Sequence, residues 1–288
     1  MRSRAREGGV VKQTDLIEEI SGALVQHGPL NRRAYLMKLG TADPQHLVGE
    51  LSRLAERAAY TKIFAKIPAS AQEAFVAAGF QIEARIPDFY RTKEDALFLG
   101  RYFDPSRRLE ESAAELDHIR KISQLQPTVD NHLPGKNIEV RVCVPEDIER
   151  LAEIYERVFQ SYPFPINNPE YIRETMLANV VYFGVEEGGQ LVAVSSSELD
   201  ESSLTVEMTD FATLPAWRSH GFAQSLLTRM DKSATDRGVR VAYSIARALS
   251  PGINVIFAKH GYTYAGRLIN NTNIFGRIES MNVWYKRL

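Results

Sequence analysis

Apolar and polar residues along this chain alternate with two periods, and the changes of period mark its elements. In the second half, Val206 to Thr213 reads as a strand, and Gln224 to Asp236 carries Leu226, Leu227 and Met230 at helical spacing. Ahead of them, Ile138 to Val144 reads as a strand. Pro145-Glu146-Asp147 then opens a helix whose Ile148, Leu151, Ile154, Tyr155 and Val158 share one face. The loop Ser161 to Ile166 leads to a short helix from Pro169 to Leu177. Val180 to Val185 and Leu191 to Ser197 flank Glu187-Gly188-Gly189, a hairpin signal, and Leu204 to Thr213 pairs next. Val239 to Ala246 is a strand, Pro251 to His260 a helix stopped by Gly261-Tyr262, and Met281 to Lys286 the last strand.

The first half uses the same alphabet. Residues 1–13 are polar and expected to be disordered, and Leu16 to Val25 is a weakly amphipathic segment before the Gly28-Pro29 turn. Tyr35 to Leu39 predicts a strand, and Asp43-Pro44 starts a helix with Leu47, Leu51, Leu54, Ala55 and Ala58 at helical spacing. Tyr60 to Ile67 follows as a strand, Ser70 to Ala78 as a helix, and Gln81 to Ile86 and Ala96 to Phe103 as strands. The order helix, strand, helix, Gly-aromatic, strand therefore occurs twice, with Gly79-Phe80 answering Gly261-Tyr262. Residues 14–104 are expected to form a smaller α/β domain. It reads as a degenerate copy of the second half's nucleotide-binding unit, structural in role or supplying one wall of the substrate pocket. Residues 105–137 make a connector with a charged, solvated helix from Leu109 to Leu125, and residues 138–288 form the second domain.

Composition narrows the function. Of 288 residues, 44% are hydrophobic and 25% charged, enough for a substantial core, and the net charge of -1 argues against a nucleic-acid or anionic-membrane binder. No apolar run approaches the roughly 20 residues that cross a bilayer, and the N-terminus lacks the apolar stretch of a signal peptide, so a cytoplasmic protein is expected. Cys143 is the only cysteine, between Val142 and Val144. It has no partner for a disulfide and no second thiol for a metal cluster, and it reads as a strand-end residue.

The chemistry concentrates in Asp210 to Ala223, where a strand enters a tight turn and a helix starts at once. A helix N-terminus offers unpaired N–H groups and a positive dipole end to an anion such as a pyrophosphate, and Gly221 and Ala223 leave room for close approach. The spacing Arg-x-x-Gly-x-Ala matches neither the triphosphate loop nor the dinucleotide loop, which disfavours both ligands. It resembles the acyl-CoA loop of the GNAT N-acetyltransferases, whose pattern Gln/Arg-x-x-Gly-x-Gly/Ala is met by Arg218, Gly221 and Ala223. The order of elements from about Ile138 to Leu288 resembles that family as well.

The resemblance implies an α/β (α+β) fold with a mixed, mostly antiparallel sheet flanked by helices, and acetyl-CoA as cosubstrate without metal. It places Phe211, Thr213, Arg218, Ser219, His220, Gly221, Phe222 and Ala223 around the cosubstrate, with Asn254 and Phe257 along its pantetheine arm. One departure stands out: Phe257-Ala258-Lys259-His260-Gly261-Tyr262 puts phenylalanine where many members keep a tyrosine acid. Tyr262, Tyr264, Tyr285 or solvent would take its place.

The run Asn270-Asn271-Thr272-Asn273-Ile274-Phe275-Gly276-Arg277 through Lys286 closely resembles the β-lysine N6-acetyltransferase family, whose substrate is 3,6-diaminohexanoate and whose product is a compatible solute. Deprotonating a free amine of pKa ~10.4 at pH 7 costs on the order of 4–5 kcal/mol, so a base is required. Period-2 alternation sets Glu207 with Thr205 and Thr209 on one strand face, where the family commonly keeps its base; Asp210, expected on the other face, is second choice. A substrate with one carboxylate and two amines then implies Arg277 or Arg247 on the carboxylate and Glu279 on the 3-amino group. Asn271 is expected beside them, with Tyr162 or Phe164 along the methylenes. Lysine, a polyamine or another diamine stays open as substrate, as does a homodimer, and a non-catalytic acyl-CoA-binding regulator is the reading from another class.

Overall fold

The computed structural model describes residues 15–128 and 139–288; residues 1–13 and the end of the connector lie outside the described residues. Leu16 to Val25 is not one amphipathic segment. It forms β1 (Leu16–Ile20) and the start of β2 (Ala23–Gly28), an antiparallel pair turned at Ser21-Gly22, both with positive φ. The first half continues with β3 (Arg33–Lys38), α1 (Pro44–Arg57), β4 (Lys62–Pro68), α2 (Gln72–Ala77), β5 (Gln81–Tyr90) and β6 (Glu94–Tyr102). Helix α3 (Ala113–Gln124) occupies the connector. It is less solvated than its charges suggest, since Leu116 and Ile119 are buried and it packs on α7 (Pro251–Lys259).

The second half runs β7 (Val140–Val142), α4 (Ile148–Val158), α5 (Pro169–Ala178), β8 (Val180–Glu187), β9 (Gln190–Asp200), β10 (Thr205–Thr213), α6 (Phe222–Asp236), β11 (Val241–Arg247), α7, β12 (Thr263–Ile274) and β13 (Arg277–Arg287). β12 went unread in the sequence because asparagines are poor strand formers. Tertiary bonds override that preference. Asn270 Nδ2 donates to the Arg107 and Leu109 carbonyls, the Asn273 backbone N–H donates to Asn31 Oδ1, and Asn273 Nδ2 donates to Leu30 O.

The thirteen strands form one sheet in the order β1-β2-β3-β4-β6-β5-β12-β13-β11-β10-β9-β8-β7. The halves repeat each other: β1-β2-β3-β4-β6-β5 has the order of β8-β9-β10-β11-β13-β12, and in each the single parallel pair, β3 with β4 or β10 with β11, is bridged by a helix. They join where Gly266 of β12 pairs with Ala84 of β5. A side chain there would put its Cβ 2.2 Å from the Glu83 carbonyl, so the seam requires glycine. Beside it the buried Lys62 ammonium donates to the Glu83 carboxylate at 2.8 Å and to Ile269 O at 2.8 Å.

Each half has its own core under its helices, α1 and α2 over the first and α6 and α7 over the second. A further cluster belongs to both, with Tyr35, Phe64 and Phe98 packed against Tyr243, Leu268 and Met281. Side chains of both halves thereby line one cleft. Among the described residues no helix is long and apolar enough to cross a membrane.

Candidate active site

β10 and β11 pair over only three residues each, Thr205, Val206 and Glu207 against Val241, Ala242 and Tyr243. Beyond that point β10 bonds to β9 and β11 to β13, so the two strands part toward their carboxyl ends, where ligands of open α/β sheets bind. The turn after β10 passes through a 3₁₀ turn, Pro215–Trp217, and Ser219 at φ 65° to Gly221, which caps α6 in the left-handed conformation at φ 82°. Gly221 has no side chain with which to cap, and the first recorded bond of the helix runs from Ser225 N to Gly221 O. The N–H groups of the first turn are thus without intrahelical partners, and a Cβ on Gly221 would meet nothing within 4 Å. An open, uncapped helix end of this kind fits a pyrophosphate. Arg218, Ser219 and His220 are exposed beside it, the His220 ring stacked 5.7 Å from Phe222 and its Nδ1 2.8 Å from Arg218 O. Phe211 stands edge-on to Phe257 below the turn, and Thr213 ends the strand.

A cleft of about 770 Å³ opens at the parting strands. Its second-half side carries Tyr162, Phe164, Tyr171, Glu198, Glu207 and Asp210, and its first-half side Arg33, Tyr35, Phe64 and Lys66. Glu207 and Asp210 share it, against the alternation, which placed Asp210 on the opposite face. The register shifts between Thr209 and Ala212, and Asp210 takes φ 56°, so a bulge turns its carboxylate to the Glu207 side.

The two carboxyls differ in their surroundings. Burial pushes Glu207 up to about 7; Lys66 and Tyr243 pull against that rise, while Glu198 and Asp210 add to it. Burial also raises Asp210, but Tyr162 Oη at 2.6 Å, Ser196 Oγ at 2.5 Å and Thr209 Oγ1 at 3.3 Å all donate to it and favour its charge. Lys66 Nζ donates to Tyr243 Oη at 2.9 Å, which ties a first-half cation to the strand beside Glu207.

Other predicted residues stand elsewhere. Tyr262 is buried in the α6–α7 core with its hydroxyl donated to Asp231 at 2.6 Å, and Lys286 holds the same carboxylate. Asn254 is fully buried and its side chain is spent within the protein. Nδ2 donates to Arg247 O and Ser250 O, and Oδ1 accepts from Asn282 Nδ2 and Trp284 Nε1. It pins α7 to β11 and β13 rather than facing a ligand. Phe257 is completely buried and edge-on to Tyr262. Arg247 and Arg277 are both paired with Glu279, at 2.8 and 2.9 Å, and Arg247 lies 4.1 Å over the Phe275 ring. Arg277 and Glu279 border a separate cavity of about 340 Å³, so this triad, two cations on one carboxylate, stands away from the cleft. Asn271, Tyr162 and Phe164 do line the cleft.

Arg33, Lys66, Glu198 and Tyr171 were missed by the sequence reading. The one available signal is a cation inside an otherwise apolar strand, as with Lys66 in Ile63-Phe64-Ala65-Lys66-Ile67; nothing in the sequence says which strand it would face.

Fold and site together define an acetyltransferase of the GNAT type. Residues 148–262 match the acetyltransferase (GNAT) family. The chain is 37% identical over 270 residues, 94% of its length and 98% of the relative's, to the beta-lysine N(6)-acetyltransferase of Methanococcus maripaludis. It is 29% identical over 265 residues to the enzyme of that name from Methanosarcina mazei, covering 85% of this chain and 97% of that one. To the N-acetyltransferase YodP of Bacillus subtilis it is 34% identical over 200 residues, 69% of this chain and 72% of the relative. The chain belongs to the β-lysine N6-acetyltransferase family.

Proposed function

We propose that this protein transfers the acetyl group of acetyl-CoA to the N6 amine of β-lysine, 3,6-diaminohexanoate, directly and without a covalent enzyme intermediate. The observation that carries the reading is the placement of Glu207, a carboxyl raised to about 7, in the cleft where β10 and β11 part, with the uncapped end of α6 following the same strand. Taking a proton from an ammonium of pKa ~10.4 costs about 8 kcal/mol for an ordinary carboxylate near 4.3, and about 5 kcal/mol for one near 7. Glu207 is therefore the better base of the two carboxyls, and Asp210, holding three donated hydrogen bonds, is the fixed negative charge beside it.

The cosubstrate's pyrophosphate would lie at the α6 N-terminus beside Gly221 and Ala223, and acetyl-CoA supplies a thioester carbonyl to the parting strands. Backbone N–H groups of β10 beyond Glu207, no longer paired to β11, would donate to the carbonyl oxygen as charge develops. Phe257 has no hydroxyl, that of Tyr262 is held by Asp231, and neither Tyr264 nor Tyr285 lines the cleft, so the departing thiolate takes its proton from solvent. The mixed charges of the cleft, acids on the second-half side and cations on the first-half side, suit a substrate with two ammonium groups and one carboxylate.

Release of free thiol from acetyl-CoA by the purified protein, measured against β-lysine, α-lysine, spermidine and no amine, tests this. A clear preference for β-lysine in kcat/KM is expected. Equal rates with spermidine would replace the substrate class, and acetyl-CoA binding without release for any amine would replace catalysis with regulation.

A further inference from the structure

Two polar atoms at the cleft wall are buried without a hydrogen-bond partner, one a donor and one an acceptor: Arg33 Nε and Asn271 Oδ1. Arg33 is 3% exposed and Asn271 1%. The Arg33 guanidinium bonds only to neutral oxygens, through Nη1 to Asn271 O at 2.6 Å and Thr272 Oγ1 at 3.3 Å, and through Nη2 to Gln26 Oε1 at 3.3 Å. Its flat face stacks 5.2 Å from the Tyr35 ring and 5.5 Å from that of Phe64, both in the cleft wall. Among the described residues no carboxylate forms an ion pair with it, and Asp15 and Glu83 act on it only from a distance, whereas Lys62 and Arg267 of the seam are paired with acids and Lys66 of the cleft with the Tyr243 phenol. Arg107, the other seam guanidinium bonded only to neutral oxygens, has Nε and both Nη atoms bonded and does not line the cleft. A desolvated guanidinium N–H without an acceptor and a desolvated amide oxygen without a donor are each costly, by about 1–3 kcal/mol or more, unless a ligand completes them.

We propose that Arg33 and Asn271 together form the receptor for the amino-acid head of the substrate, the guanidinium taking the carboxylate and the Asn271 side-chain oxygen accepting from the 3-ammonium. This rests on the reading of the protein as an acetyltransferase for a diamino acid. It assigns recognition of the substrate's non-reacting end to the seam of the two halves. Arg33 comes from β3 and Asn271 from the β12 bulge, and the bond between them already fixes their spacing. The aliphatic chain would then run along the aromatic wall of Tyr35, Phe64 and Phe164, delivering the far amine to Glu207. Burial lowers the Arg33 pKa to about 10, against the opposing influence of Tyr35, Asp15 and Glu83, and leaves it charged at neutral pH. The pair Arg247–Glu279 has no such need of a ligand, since each satisfies the other.

Three amines separate the contributions: 3,6-diaminohexanoate, pentane-1,4-diamine, which lacks only the carboxylate, and 6-aminohexanoate, which lacks only the second amine. For the unmodified protein the acid should exceed pentane-1,4-diamine in kcat/KM by about 10–100-fold, the value of a charge-assisted hydrogen bond. In Arg33→Gln that ratio should collapse toward one, with the loss in KM. In Asn271→Ala, which keeps the backbone oxygen that Arg33 uses, the ratio of 3,6-diaminohexanoate to 6-aminohexanoate should collapse while the carboxylate preference persists. If Arg33→Gln lowers all three substrates by one common factor, or the unmodified protein does not distinguish acid from diamine, the receptor is overturned. Calorimetric binding of 3,6-diaminohexanoate to the CoA-bound protein reads the same ratios without turnover. Binding lost in Arg33→Gln in a protein that releases no thiol would sink the proposed catalysis and retain the receptor; undiminished binding would remove the receptor alone. Should Arg33→Gln not fold, the Asn271→Ala comparison and the unmodified protein's substrate ratios still decide.

Discussion

The two halves share a strand order, yet their equivalent turns treat the N-terminus of a helix in opposite ways. Between β3 and α1 the Asp43 side chain accepts from His46 N at 2.8 Å, and Pro44 removes a donor from the first turn. That helix end carries its own anion. Between β10 and α6 the cap is Gly221, which brings no side chain, so the same positive end is left for a ligand. Counting from the first residue of the parallel pairing, Arg33, Ala34 and Tyr35 stand where Thr205, Val206 and Glu207 stand. One half thus keeps a carboxyl at the parting strands and the other a cation and a phenol, which face it across the cleft. On the proposed reading, a shared strand order separates into a half fitted for chemistry and a half fitted for recognition through a few side chains.

Substitutions at equivalent positions would break or sharpen this contrast. The largest effect is expected from Glu207→Gln, which should reduce turnover by about 10²–10⁴ with acetyl-CoA affinity retained; unreduced turnover in a stopped assay would return the base to Asp210. Next, Gly221→Val should lower acetyl-CoA affinity by roughly 100-fold, through a Cβ branch in the open space and a left-handed φ. Calorimetry showing unchanged affinity would move the cosubstrate off this turn. A smaller effect concerns pH. A base with pKa about 7 must be deprotonated to act, so kcat/KM should rise about tenfold per unit below pH 7 and level above it, and the limb should be absent in Glu207→Gln. A limb that persists in the variant belongs to another group. The smallest is Asp43→Ala, which should cost about 1 kcal/mol in denaturant unfolding and leave acetyl-CoA affinity alone. Altered affinity there would erase the distinction between the two turns.

Much of this was legible in local pattern. The helices at Asp43-Pro44, Pro145 and Pro169, the hairpin at Glu187-Gly188-Gly189 and the turn from Asp210 to Ala223 are set by caps, glycines and periodicity that act within a few residues, and the structure has all of them. Local pattern failed where distant groups decide. β12 forms from asparagines because Leu30, Asn31, Arg107 and Leu109 bond to them across the seam. Asp210 left the expected face because a bulge, which alternation cannot foresee, rotates it toward Glu207. Arg247, Arg277 and Glu279 have the charges the substrate needs, but they pair with one another away from the cleft.

The sequence by itself determined most of the elements and their order, β1, β2 and β12 apart, and the open cap at Gly221, because these depend on residues adjacent in the chain. Only the tertiary structure decided which charges meet. Arg33 and Asn271, 238 positions apart, come within a hydrogen bond, and Lys66 reaches Tyr243 beside Glu207, because β5 and β12 join the two half-sheets into one. Burial at that meeting raises one carboxyl to about 7 and leaves one guanidinium with an N–H that no acceptor meets, and burial is a property of the assembled sheet rather than of any stretch of sequence.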